Sequence, residues 1–332
     1  MRGLASAVLA ALCALPAHGQ ERLPREVFDV IAPASRVAGG RGEMRVTQAA
    51  CRVGPTHWAR RRIVDIAVQE WAVFGYQTVD ARPIERGLLP EGVLPEQLNP
   101  PRERPRQGRH ILRMGRWEND PATHASIGGY WSVTSEGAGI IARQNRAWRA
   151  TDQAIDWVEP WSAAFISWVM CEAGLGEASQ FARDASHRVY IDQAIRARDG
   201  ALSGTAYVAY DAGEARIEPG DLLCNARGRA SYRSLADRRP EMDRFAPTHC
   251  DVVVRVDEAA GVFHMIGGNV MNSVTLTLLP GTRDQPGAPL RPLSDEDLSG
   301  ARTMFAHLKL QADPVEPEAF DNSPTIRALT GS

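Results

Sequence analysis

The sequence predicts an α+β fold in which N-terminal helices pack on a small antiparallel β-sheet. Three observations carry this expectation. Apolar residues recur at spacings of three and four from Trp58 through Phe74. A second apolar helical face runs through the segment PWSAAFISWVMCEAG, from Pro160 to Gly174. Beyond Pro219 the period switches to short apolar or alternating runs separated by turn signals.

Taken in order, the chain opens MRGLASAVLAALCALPAHGQE, with a positive Arg2, an apolar run from Leu4 to Leu15 and a small-x-small site at Ala17-His18-Gly19. That is the pattern of a secretory signal peptide cleaved near Gly19, and it is too short for a transmembrane helix. Residues 20–50 show no sustained periodicity and carry Gly39-Gly40-Arg41-Gly42, the composition of a flexible tether. A single domain is expected over 51–312. Its first helix carries Trp58, Ile63, Ile66, Ala67, Glu70, Trp71 and Phe74 and stops near Gly75. Residues 82–116 are rich in proline and arginine and read as an insertion. An aromatic patch at Ile127–Val133 follows, then the helix opened by Pro160, then a helix over about Ser186–Arg198. The runs PGDLLC, DVVVRV, VFHMI, VTLTLL and MFAHLKL supply the strands, and the tail from residue 313 reads as disordered.

Composition narrows the function classes. The 332 residues carry 38 Lys+Arg against 40 Asp+Glu, a formal charge of −2 that offers no basic footprint for nucleic acid. Hydrophobic residues make up 44% and charged residues 23%, an ordinary globular balance. Lys309 is the only lysine, a bias we ascribe to coding composition. No segment after the leader is apolar enough for stable membrane insertion, so an exported, soluble product is expected. Once the leader and Cys13 are removed, Cys51, Cys171, Cys224 and Cys250 remain, and four cysteines allow three pairings. If the strands bearing Cys224 and Cys250 lie side by side, that bridge is the easiest and leaves Cys51 with Cys171; free buried thiols are the alternative. No cysteine or histidine spacing resembles a metal site, and no cofactor is implied.

Three residues suggest chemistry. Ser162 lies in the first turn of the helix opened by Pro160, His249 enters the strand CDVVVRV, and Asn269 follows VFHMIGG. A nucleophile at a helix N-terminus, a base on a strand and an orienting polar group on the next strand form a papain-like arrangement. The helix end offers N–H groups to an oxyanion, and a serine hydroxyl needs a hydrogen-bonded base. Each residue also has a plainer use: Ser162 as a helix cap, His249 as a satisfied core histidine, Asn269 as turn chemistry. His264 is a competing imidazole one strand further on. His187 sits with Asp184 and Ser186 before a helix, either as part of a cap or as a substrate contact or rival base beside Ser162. Glu159 can shape a pocket rim. Trp161 and Trp168 share one helix face and read as core, while Trp131 and Trp157 could instead stack on sugar rings.

The run PWSAAFISWVMCEAG, followed by PGDLL, HCDVVV and VFHMIGGN, resembles CHAP-type enzymes, the cysteine, histidine-dependent amidohydrolases/peptidases. With DASHRVYIDQAI and the final MFAHLKL, the chain more closely resembles the bacterial domain of unknown function 2272 family over about residues 56–311. The resemblance implies a papain-like (CHAP-like) core and hydrolysis of amide bonds in peptidoglycan peptides, with a wall peptide or glycan as partner. The departure is Ser162, which stands where the CHAP pattern has cysteine, so a Ser162-His249-Asn269 arrangement is the expected machinery. The contrasting expectation is a catalytically inactive periplasmic or cell-wall binding module on the same scaffold.

Overall fold

The computed structural model describes residues 19–82, 89, 93, 110–228, 230–293 and 303–331. The leader at 1–18 and most of the 82–116 insertion therefore lie outside the described residues.

A two-stranded ribbon comes first, β1 (Val37–Ala38) against β2 (Arg45–Val46). Helix α1 (Ala59–Val73) leads to β3 (Thr78–Asp80) and β4 (His110–Arg113). Three helices follow: α2 (Pro121–Trp131), α3 (Gly137–Arg149) and α4 (Ser162–Ala173). After α5 (His187–Arg198) come β5 (Tyr207–Tyr210), β6 (Leu222–Ala226) and the short α6 (Leu235–Arg238). The long meander β7 (Thr248–Asp257), β8 (Val262–Val270) and β9 (Ser273–Thr282) precedes β10 (Arg291–Pro292), β11 (Met304–Leu310) and α7 (Pro324–Thr330).

Among the described residues the main sheet has nine strands in the order β4-β3-β9-β8-β7-β6-β11-β5, with β10 also on β9. It is larger than the small sheet expected and not wholly antiparallel, because β3 pairs with β9 in parallel. The five apolar runs marked in the sequence all form strands. Val252, Val254 and Ile266 turn one face of the meander to the helices, while Val253, Phe263, Met265 and Leu279 build a smaller cluster on the other face.

The three helices expected from sequence, α1, α4 and α5, form where it places them, while α2, α3 and α7 are not among those expected; local signals start and stop them. Asp120 caps α2 by accepting from Ala122 N at 2.9 Å, with Pro121 in the first turn. Helix α4 is buried along its whole length and ends at Gly174, whose φ of +103° glycine adopts without strain. Helix α1 looks amphipathic in sequence yet is buried nearly all round. Its charges are matched by distant partners: Arg60 by Asp221 at 2.9 Å and Glu70 by Arg22 at 2.6 Å. A buried charge without such a partner would be prohibitive.

Two expectations for the ends are corrected. Residues 20–50 do not form a tether. Phe28, Val30, Val37 and Met44 are buried in the helix-side core, Ile31 N donates to Glu172 at 3.0 Å, and Arg36 forms an ion pair with the same carboxylate. The apolar residues are spaced without period because each fills a separate gap. The tail is also built: Ala319, Phe320 and Ile326 are buried, and Ser323 caps α7. Both cysteine pairs are disulfide-bonded, Cys51–Cys171 and Cys224–Cys250, the latter joining residues directly opposite each other on β6 and β7. Among the described residues no helix is long and apolar enough to cross a membrane.

Candidate functional site

Ser162 opens α4, behind Pro160 and Trp161. The first intrahelical bond runs from Phe165 N to Trp161 O at 3.0 Å, so the N–H groups of residues 162–164 point out of the helix end. The helix is held there from below: Trp161 is fully buried, stacks on Tyr130 with ring centroids 5.8 Å apart, and donates its indole N–H to Glu118.

The hydroxyl of Ser162 is bonded to His187, with Oγ and Nε2 2.7 Å apart. His187 opens α5, so two helix N-termini converge on this contact. Its other ring nitrogen, Nδ1, receives the main-chain N–H of Cys250 at 3.2 Å and is also bonded to the Tyr190 hydroxyl. Burial, the neighbouring His249 and the charge of Arg227 hold the imidazole well below its usual pKa, so it is neutral at neutral pH.

His249 does not bond Ser162. It is buried with its ring 5.1 Å from that of His187, edge to face, and its Nε2 lies 2.7 Å from Asp251 Oδ1. Strand geometry explains this. His249 and Asp251 share the β7 face of Val253, whereas Cys250 and Val252 turn toward the helices. A carboxylate only accepts, so the proton of His249 sits on Nε2. Gly267 lies opposite: a Cβ there would come within 1.6 Å of Asp251 Oδ1 and 3.2 Å of His249 Nε2.

The remaining candidates separate cleanly. Asn269 is half-buried near the end of β8, where the register against β9 shifts, with φ +53°, and Asp251 holds the place beside His249 that was expected of it. His264 is buried further along β8 beside Phe320, with its pKa lowered to about 4 by burial and by Arg255, away from Ser162. Glu159 forms an ion pair with Arg143 at 2.9 Å. Trp131 is buried, and Trp157 packs edge-on against Trp148, so neither offers an open face for a sugar ring.

Ser162 and His187 line a cleft of about 370 Å³. One wall carries Trp131, Glu136 and Arg143, and the other carries Arg188, Arg227 and Phe245. The sequence signal for His187 was present in DASHRV, but a helix-opening histidine after Ser186 reads equally as a cap. For Asp251 the signal was its position two residues after His249, on the same strand face.

A family model described as "Uncharacterized protein conserved in bacteria (DUF2272)" matches residues 118–299. The chain belongs to this family. The matched region of this DUF2272 protein contains Ser162, His187, Tyr190, His249 and Asp251, and hence every residue of the hydrogen-bonded centre. No curated protein and no solved structure matches the chain.

Chemically, the arrangement places an alcohol, an imidazole and a row of outward N–H groups at one cleft. The direction of the Ser162–His187 bond follows from the amide of Cys250. A main-chain N–H can only donate, so Nδ1 bears the lone pair, and the neutral ring carries its proton on Nε2, donating to Ser162 Oγ. For His187 to take the serine proton, its own proton must sit on Nδ1 and be held by the Tyr190 oxygen.

Proposed function

We propose that this DUF2272 protein is an exported hydrolase of amide bonds, acting on peptidoglycan peptides, with Ser162 as nucleophile and His187 as base. The observation that carries the reading is the 2.7 Å contact between Ser162 Oγ and His187 Nε2 on the wall of an open cleft. Export rests on the leader pattern and accords with two disulfides. The substrate class comes from the resemblance of PWSAAFISWVM and HCDVVV to CHAP-type enzymes.

In this reading the ring first adopts the tautomer with its proton on Nδ1, donated to the Tyr190 oxygen; Ser162 Oγ then attacks the scissile carbonyl while its proton passes to His187 Nε2, giving the imidazolium. The oxyanion faces the N–H groups at the start of α4. The intermediate collapses to an ester, and Nε2 returns its proton to the leaving amine. Water then cleaves the ester by the same steps. His249 and Asp251 form a second imidazole–carboxylate pair behind His187, and of the two it is His249 that helps to hold His187 neutral.

One observation favours a second reading, a binding module without turnover: the Cys250 amide stabilises the tautomer in which Ser162 accepts rather than donates. The test is direct. Mature protein incubated with wall fragments should release free amines. Ser162→Ala and His187→Ala should each lower the rate by about a thousandfold or more, as loss of a nucleophile or its base does. Retained binding of fragments with no amine release from any of the three proteins would establish the second reading instead.

A further inference from the structure

We propose that the cleft wall built from Arg188, Arg227 and Phe245 is a subsite for the free carboxylate of a peptide, set beside the amide that Ser162 attacks. Its placement next to a scissile amide rests on the hydrolase reading, whereas the binding itself does not.

Arg188 follows His187 in the first turn of α5, and both line the cleft. Among the described residues its Nη1 reaches only a main-chain oxygen, that of Asp243, at 3.4 Å. The Asp243 carboxylate is engaged elsewhere, by Arg196 at 2.6 Å. Nε of Arg188 is buried with no partner among the described residues. Among the described residues the Arg188 guanidinium thus has no carboxylate partner, and its residue lines the cleft. Arg227 lines the same wall, and its charge is felt at His187.

The opposite wall differs. There Arg143 is matched by Glu159, and Glu136 adds an exposed carboxylate. On the α5 side Asp184 also lines the cleft, so two guanidinium groups stand there against one carboxylate, whereas on the α3 side one guanidinium stands against two; an anion is drawn to the α5 side. Guanidinium groups hold carboxylates through paired N–H bonds that an ammonium cannot reproduce. Phe245 adds the apolar half of the ligand: it is 81% exposed at the rim, unusual for so large an apolar side chain. A carboxylate next to an apolar side chain is the end of a peptide.

The test uses the mature Ser162→Ala protein, which holds the ligand without turnover. N-acetyl-Ala-Ala, its C-terminal amide and acetate are titrated by NMR. The acid should bind at least about tenfold more tightly than the amide, and more tightly than acetate. In a second protein with Arg188→Gln added, the preference for acid over amide should vanish, while an unchanged melting temperature shows that the fold is intact. Phe245→Ala should weaken the acid and leave acetate unaffected. Equal binding of acid and amide, no binding of either, a preference that survives Arg188→Gln, or acetate binding as well as the dipeptide would each overturn the assignment. Because no step requires hydrolysis, carboxylate-selective binding by a protein that never releases amines would remove the hydrolase reading and leave the subsite standing.

Discussion

Gly267 occupies the narrowest place in the site. The Asp251–His249 pair on β7 comes so near the backbone of β8 that any side chain at 267 meets the carboxylate. Gly267→Ala should lower stability by roughly 1–3 kcal/mol, the usual range for forced overpacking, measured by urea unfolding. Gly268 next to it is confined from the other side by Phe165 and Trp161. The sequence marked this Gly-Gly-Asn as a turn, but all three residues lie in β8, where the register against β9 shifts, and the hairpin turns at Met271 and Asn272. What it could not mark was the reason for the glycines, because the neighbours that demand them come from another strand and from α4. The same holds for His187. Its position at the head of α5 was legible, while its contact with Ser162 depends on how two helices cross. In β7 the residues on both faces are apolar, so the alternation did not tell which face meets the helices, and His249 was aimed to the wrong side.

At the scale of elements, the N-terminus of α4 is anchored by the Trp161–Glu118 bond, and Glu118 is the titrating member. Burial raises its carboxyl pKa to about 7, against the lowering effect of the indole N–H, with Asp156 adding to the rise. A carboxyl more basic in the folded than in the unfolded state stabilises the fold at low pH. The benefit is complete below the unfolded pKa, near 4.5, and is lost as pH climbs through about 7. Glu118→Gln should therefore gain stability relative to the parent between pH 5 and 8, with the difference flat below pH 4, as followed by thermal melts across pH. A constant difference over the whole range would assign Glu118 no such titration. Helix and strand placement was read well from sequence here, since Pro160, Gly174 and the alternating runs are local signals. The burial of Glu118 was not, because its partner is 43 residues away.

For the molecule as a whole, the segments that seemed loose are fastened by charge. Arg36 and Glu172 are both fully buried, and the carboxylate also receives Ile31 N. Glu172→Gln leaves a guanidinium in the core with weaker partners, at an expected loss of about 3–5 kcal/mol and with faster protease cleavage within 20–50. Composition could not announce this pairing, since one arginine among many looks like another. The sheet's extent was likewise hidden: β3 and β4 are too short to stand out, and the parallel β3–β9 pairing joins residues about 200 positions apart.

The helix-side core takes in side chains from Phe28 through Ile326, with the Phe320 ring 5.9 Å from that of Trp71. Almost nothing along this chain can therefore finish packing on its own. Interactions spanning such distances in sequence make for slow maturation, so between synthesis and completion the unfinished protein has Trp71 and its neighbours uncovered. That aromatic surface closes when the final helix docks.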